Sequence, residues 1–165
     1  MPAIISIVGR SQSGKTTLIE KLIPEIKRRG YRVGTIKHTH HALDIDKTGK
    51  DSARHRQAGA DTTILAAPGE IALLKSGHSD QLGDLIGFFD DVDLLITEGY
   101  KRSRRPKIEV VRVARNPVPF CKDDPHLKAV VTDAPLALGI PSFGLDDIGR
   151  IVDFIESSFL APDDA

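Results

Sequence analysis

The sequence predicts an α/β fold in which a mostly parallel sheet is flanked by helices, and three observations carry that prediction. Residues 3–8, AIISIV, form a continuous apolar run rich in β-branched side chains, the pattern of a strand buried on both faces. The glycine-containing run GRSQSGKT, residues 9–16, leaves that strand directly. Beyond it, Leu18, Ile19, Leu22, Ile23 and Ile26 recur at helical spacing until Gly30, and residues 31–37 then read as a second strand. Together these make a βαβ unit with a right-handed crossover.

The first helix is expected over residues 15–29, with Gly30 as its stop and Pro24 as the place where it can kink. Residues 38–59 crowd His38, His40, His41, Asp44, Asp46, Asp51, Arg54, His55 and Arg56 together and are too polar to be core. Asp51 opens a short helix ending at Gly59. Residues 62–67 and 70–75 read as two strands joined at Pro68-Gly69, a hairpin. Residues 80–90 place Leu82, Leu85, Ile86 and Phe89 on one helical face and lead into a buried strand at 92–97. Further strands are expected at 107–112, 128–132 and 141–143. A last helix is expected over 146–159, with Ile148, Ile151, Val152, Ile155 and Phe159 on its apolar face and a frayed tail after it.

A chain of 165 residues suits one domain, residues 1–165, with a substantial core. Lys plus Arg total 23 and Asp plus Glu total 23, so no overall field would hold the protein on nucleic acid or an anionic membrane. There is no charged and apolar leader, and no apolar stretch reaches the roughly 18 residues of a membrane span. The expectation is a soluble cytoplasmic protein. The single cysteine, Cys121, rules out an internal disulfide framework and a Cys-rich zinc site, and reads as an idle thiol.

Residues 9–16 fit G-x-x-x-x-G-K-[ST] between a strand and a helix, the P-loop of the NTPase fold. Gly9 and Gly14 let the loop fold tightly, so that the backbone N–H groups of Ser11, Gln12 and Ser13 converge on phosphate oxygens beside the helix N-terminus. Lys15 reaches the outer phosphates, and the Thr16 hydroxyl is placed to coordinate Mg²⁺, with Thr17 as a second candidate. The chemistry also needs a carboxylate at the carboxyl end of a neighbouring strand. Glu98, closing the run DLLITEG, is the preferred acid, while Asp93 lies at that strand's opposite end. Asp46 is the other metal-side candidate. Lys15, Asp46 and Glu98 are thus the expected catalytic set.

Beyond the P-loop, the chain carries KHTHH from Lys37, DID ending at Asp46, GKDSARHRQAGA across Asp51 and Arg54 to Arg56, and TEGYK ending at Lys101. In this order, with the ending PSFGLDD from Pro141, these motifs resemble the MobB family of molybdopterin-guanine dinucleotide biosynthesis adaptor proteins over nearly the whole chain. Lys47-Thr48 departs from the family pattern before the GKDS run. The resemblance implies GTP as the bound nucleotide, weak hydrolysis, and assistance to a MobA-type guanylyltransferase that attaches GMP to molybdopterin, with molybdopterin itself a candidate ligand. It also implies a homodimer and an additional β segment, for which residues 62–75 and 107–112 are candidates and could supply the dimer contact.

Within those motifs Lys37, His38, Asp51, Arg54, His55, Arg56 and Lys101 are the candidates for substrate or partner contacts. Adjacent residues on a helix diverge, so Arg54, His55 and Arg56 cannot all serve one ligand. No N-K-x-D motif selects guanine. Asp133, after the strand at 128–132, could accept from guanine N1 and N2 or serve as a turn aspartate before Pro135. His38, His40 and His41 fit a loop touching phosphate, pterin or protein, or else a zinc or nickel site. The basic run KRSRRPK, residues 101–107, either guides an acidic partner or is a solvated loop; nucleic acid is disfavoured without interleaved aromatics. A small-molecule kinase or ligase and a metallochaperone GTPase remain open beside the adaptor reading.

Overall fold

A computed structural model of the protein describes residues 1–41, 50–115 and 117–161. By contacts the chain forms two compact units, Met1–His38 with Leu85–Ala165, and Thr39–Asp84. The larger unit is an α/β layer structure. Its strands are β1 (Ala3–Val8) and β2 (Val33–Lys37), separated in sequence by helix α1 (Lys15–Arg28). The smaller unit holds helix α2 (Asp51–Gln57) and strands β3 (Thr62–Ala67) and β4 (Glu70–Lys75). A single turn, α3 (Leu82–Leu85), precedes β5 (Leu94–Glu98), β6 (Lys107–Val111), β7 (Leu127–Thr132), β8 (Ser142–Gly144) and helix α4 (Ile148–Ile155).

The six-stranded sheet runs β2-β5-β1-β6-β7-β8, and every pairing in it is parallel. The first crossover therefore skips a position: β5 lies between β1 and β2, pairing Ile7 with Glu98 on one side and Glu98 with Lys37 on the other. Strand alternation sorts the residues. Ile5, Ile7, Ile96, Ile108 and Val110 face Leu18, Leu22 and Ile26 of α1 and Ile151 and Ile155 of α4. Each such side chain stabilises by about 1.5–3 kcal/mol when fully buried. The opposite face carries Val8, Val111, Cys121, Leu127 and Val130. At the strands' amino ends, Asp93 accepts from the Arg32 backbone N–H at 2.7 Å and pairs with its guanidinium at 2.9 Å. Those bonds hold its carboxyl below the ordinary aspartate value.

Two expectations about the elements change. The helix expected over 80–90 shrinks to α3 followed by a 3₁₀ turn, Ile86–Phe88; Gly83 within the first and Gly87 within the second weaken a longer helix by about 1 kcal/mol each in helix propensity. Residues 107–112 are not an additional β segment: β6 sits between β1 and β7 inside the main sheet. The additional segment is the antiparallel β3–β4 hairpin, paired from Thr62↔Lys75 to Ala67↔Glu70 and closed by Pro68 and Gly69 (φ 80°).

Lys107 does not belong to the solvated basic run. It is 0% exposed, its ammonium pairing with Asp124 at 2.9 Å and donating to the Ser103 carbonyl. Two residues on, buried Glu109 accepts from the backbone N–H groups of Phe120 and Cys121 at 2.6 and 2.8 Å. These two charges on one face of β6 fasten the loops on either side of it. Burial, reinforced by Glu109 and Asp124, pushes the Cys121 thiol up to about 11, which keeps it protonated and unreactive. Among the described residues no helix is long and apolar enough to cross a membrane. Breaking a buried pair leaves an uncompensated charge, so Lys107→Ala is expected to cost about 3–5 kcal/mol. In urea unfolding its midpoint falls well below wild type, while Arg104→Ala stays within about 0.5 kcal/mol.

Candidate functional site

The loop of residues 9–14 joins the carboxyl end of β1 to the start of α1, at the sheet edge where α/β proteins bind ligands and where the strand order turns back on itself. Gly9 (φ 142°) passes so close to β6 that a Cβ on it would lie 2.5 Å from the Val110 carbonyl oxygen and 2.8 Å from Ser13 Oγ. A backbone atom of a central strand cannot step aside, so only glycine fits. Gln12 is held at φ 59°, sparsely populated for a side-chain-bearing residue. Gly14 (φ 99°) is the N-cap of α1 and offers no side-chain cap. Leu18 N–H is the first to bond back, to Gly14 O at 2.9 Å. The N–H groups ahead of it are without intrahelical acceptors and sit at the positive end of the helix dipole.

Arg112, at the exit of β6, sets the direction of one of those groups. Its Nε donates to the Ser13 carbonyl at 3.0 Å. Because the trans peptide is planar, the Gly14 N–H on the same peptide points the opposite way, away from the guanidinium. Asp133 holds Arg112 in place, with one oxygen 3.9 Å from Nη1 and the other accepting from Val113 N–H at 2.7 Å. Asp133, weighed above as a base reader, has these as its partners.

On the β5 side, Thr16 Oγ1 donates to Glu98 Oε2 at 2.9 Å, and Glu98 Oε1 lies 3.8 Å from Lys37 Nζ. The Glu98 side chain is 15% exposed. Behind it the Thr97 hydroxyl donates to Ser6 Oγ at 2.9 Å, cross-linking β5 and β1. Lys15 folds over the loop and donates to the Arg10 carbonyl at 2.8 Å. Burial lowers its pKa from the ordinary lysine value, with Glu98 opposing and Lys101 and Lys37 adding to the shift. An ammonium so placed gains from an arriving polyanion. The hydroxyl of Thr16 and the carboxylate of Glu98 are hard oxygen donors of the kind that suits Mg²⁺.

The strand-end turn is completed by Gly99 (φ 108°) and Tyr100 (φ 48°). A Cβ on Gly99 would meet His38 Cβ at 3.3 Å, and the His38 ring rests 4.7 Å from that of Tyr100. Lys101 lies 5.0 Å over the Phe120 ring. Ser11, Gln12 and Thr17 are exposed on the loop and first helical turn. The structure thus gathers Gly9, Ser13, Gly14, Lys15, Thr16, Lys37, His38 and Glu98 around one loop. Asp51, Arg54, His55 and Arg56 lie on α2 of the smaller unit, where Arg54 Nη1 is 3.6 Å from Asp51 Oδ1. Asp46 lies outside the described residues. His40 and His41 are exposed, and among the described residues no group of three or more His, Cys, Asp or Glu is arranged to hold a metal. Arg112 was missed by motif reading. Its signal was position, at the carboxyl end of a strand whose place beside β1 is not local information.

A parallel sheet, a strained glycine loop running into an uncapped helix, and a lysine, threonine and strand-end glutamate around it define a P-loop NTPase fold. The sequence matches the model of the MobB family, molybdopterin guanine dinucleotide synthesis protein B, over residues 4–133. It is 40% identical over 157 residues to the molybdopterin-guanine dinucleotide biosynthesis adapter protein of Haemophilus influenzae, covering 93% of this chain and 88% of that protein. The Escherichia coli adapter protein is 37% identical over 161 residues, at 94% and 92% coverage. The crystal structure of Bacillus subtilis MobB superimposes with a TM-score of 0.78 at 27% identity, over 96% of this chain and 99% of that one. The chain belongs to the MobB family.

Replacing Arg112 by Gln removes the donor that turns the Ser13–Gly14 peptide. Phosphate affinity is expected to fall about tenfold with the fold retained, as a charged hydrogen bond contributes about 1.5–3 kcal/mol. Titration of inorganic phosphate followed on the Gly14 amide signal checks this, and an unchanged curve contradicts the role given to Arg112.

Proposed function

We propose that the protein is a GTP-binding adapter of molybdopterin-guanine dinucleotide biosynthesis that hydrolyses GTP slowly and assists a MobA-type guanylyltransferase. The adapter role rests on membership of the MobB family. The observation that carries the nucleotide part is the contact of Thr16 with Glu98 at 2.9 Å beside the glycine loop. In this reading the loop N–H groups and Lys15 bind the phosphates, and Thr16 and Glu98 hold Mg²⁺, which when bound neutralises phosphate charge. Lys37, 3.8 Å from Glu98 Oε1, helps to orient that carboxylate. Phosphoryl transfer depends mainly on positioning and charge stabilisation, so a slow hydrolase can be assembled from these side chains without a dedicated base. Asp46 is retained as a further metal-side carboxylate. Support for guanine over adenine comes from the family, whose name is that of guanine dinucleotide synthesis.

The partners follow the same reading. Molybdopterin or the guanylyltransferase is the candidate for contacts with His38 and Lys101, and separately with Asp51, Arg54, His55 or Arg56 of α2. A homodimer is supported by the β3–β4 hairpin, which exposes Ile64, Ile71 and Leu73 on one face, Ile71 at 70%, and Leu65 on the other. An isolated two-stranded hairpin is marginal without such a face being covered. The cytoplasm is the proposed compartment.

Binding of GTP and ATP with Mg²⁺ by calorimetry, followed by reconstitution of guanine dinucleotide formation with a MobA-type partner, tests the proposal. The expected results are tighter binding of GTP, loss of at least about tenfold in affinity on Lys15→Ala, and faster product formation with the adapter present. Equal affinity for ATP or no stimulation would sink it.

A further inference from the structure

The β6 flank of the loop holds polar groups beyond the contact of Arg112 with the Ser13 carbonyl. On its β6 side lies a cleft of about 300 Å³, open mouth included, lined by Arg10, Ser13, Arg112, Arg115, Glu109 and Val118 among others. Ser13 is 4% exposed, and its hydroxyl oxygen is buried without a hydrogen-bond partner. A buried hydroxyl left unpaired costs about 1–3 kcal/mol unless something else satisfies it.

The charge around that hydroxyl is cationic. Three guanidinium-bearing residues border the cleft. Among the described residues neither Arg10 nor Arg115 carries an ion pair, and Arg112, held by Asp133 at 3.9 Å, spends its Nε–H on the Ser13 carbonyl and keeps further guanidinium N–H groups for a ligand. Glu109 adds a negative charge at the wall, but both its oxygens are taken by the N–H groups of Phe120 and Cys121. Guanidinium-bearing residues bordering the same cleft as an unpaired hydroxyl match the tetrahedral, multiply accepting oxygens of phosphate.

We propose that this cleft is a second oxyanion site, separate from the loop's own cradle, that takes the phosphate monoester group of a second ligand. Thr16 and Glu98 meet on the β5 side of the loop and the cleft is bounded by residues of β6, so a nucleotide and a phosphorylated second ligand can be held on the two flanks of one loop. The inference rests on the nucleotide reading for the role of the first flank, and the experiment separates the two.

The test uses the whole chain with ¹⁵N-labelled arginine side chains and inorganic phosphate as the probe. The Nε–H signals of Arg112 and Arg115 shift saturably in wild type, in the Lys15→Ala protein, and in wild type saturated with Mg²⁺ and GTP. Arg115→Gln, its fold verified by the amide spectrum, weakens the response of Arg112 about tenfold while the Gly14 and Thr16 amides titrate as before. A linear, unsaturated drift of the arginine signals, meaning an adventitious ion only, overturns the site. So does abolition of the response by GTP, which would make the cleft part of the nucleotide's own site. Unchanged GTP binding by Lys15→Ala would instead overturn the nucleotide reading and leave the arginine response standing.

Discussion

Gly9 passes the Val110 carbonyl at a distance no Cβ could tolerate, 2.5 Å, and the geometry of the site depends on that approach. β1 and β6 are hydrogen-bonded neighbours up to Val8 and Glu109, so a chain leaving β1 must turn across the top of β6 at once. Glycine at Gly9 permits that turn, Gln12 and Gly14 at positive φ complete it, and the helix begins before any side chain can cap it. The open N–H groups are therefore a consequence of the turn and not an addition to it. Lys15, folded back on the Arg10 carbonyl at 2.8 Å, lies over the same peptides that would otherwise face water.

The two strands beside β1 then decide what each flank of the loop can do. β5 ends in a carboxylate, Glu98, at register with Lys37 of β2, and this places a hard oxygen against Thr16. β6 ends in a guanidinium, Arg112, braced by Asp133 at the end of β7. A chain whose formal charges cancel, 23 against 23, thus keeps an acidic and a basic wall at the carboxyl edge of one sheet. The buried charges Lys107 and Glu109 belong to the same economy. They bind loops to β6 from within the layer, which leaves the strand ends free of that task.

Much of this was legible in the sequence because it is local. The bounds of β1 and of the hairpin strands β3 and β4 follow from β-branched runs and a Pro-Gly turn, and the P-loop spells its own context. Glu98 was found because an apolar run ending in an acid is a strand end. What failed was information carried by neighbours. Lys107 reads as surface within KRSRRPK, yet pairing with Ser6 and Leu127 makes it the first buried residue of a central strand. The helix expected over 80–90 ignored Gly83 and Gly87, whose propensity cost outweighed a good apolar face. Arg112 acquires its role only when β6 is known to lie next to β1, and no spacing rule supplies the sheet order.

The central claim is that the loop is a phosphate cradle already shaped, with Lys15 parked on it. A crystal structure with Mg²⁺ and a non-hydrolysable GTP analogue addresses it directly. The account predicts that Lys15 Nζ leaves the Arg10 carbonyl for the terminal phosphates, that Gly14 N–H donates to a phosphate oxygen, and that the Thr16 hydroxyl reaches the metal beside Glu98. Phosphates bound elsewhere, with Lys15 still on Arg10 and Thr16 still on Glu98, would contradict it.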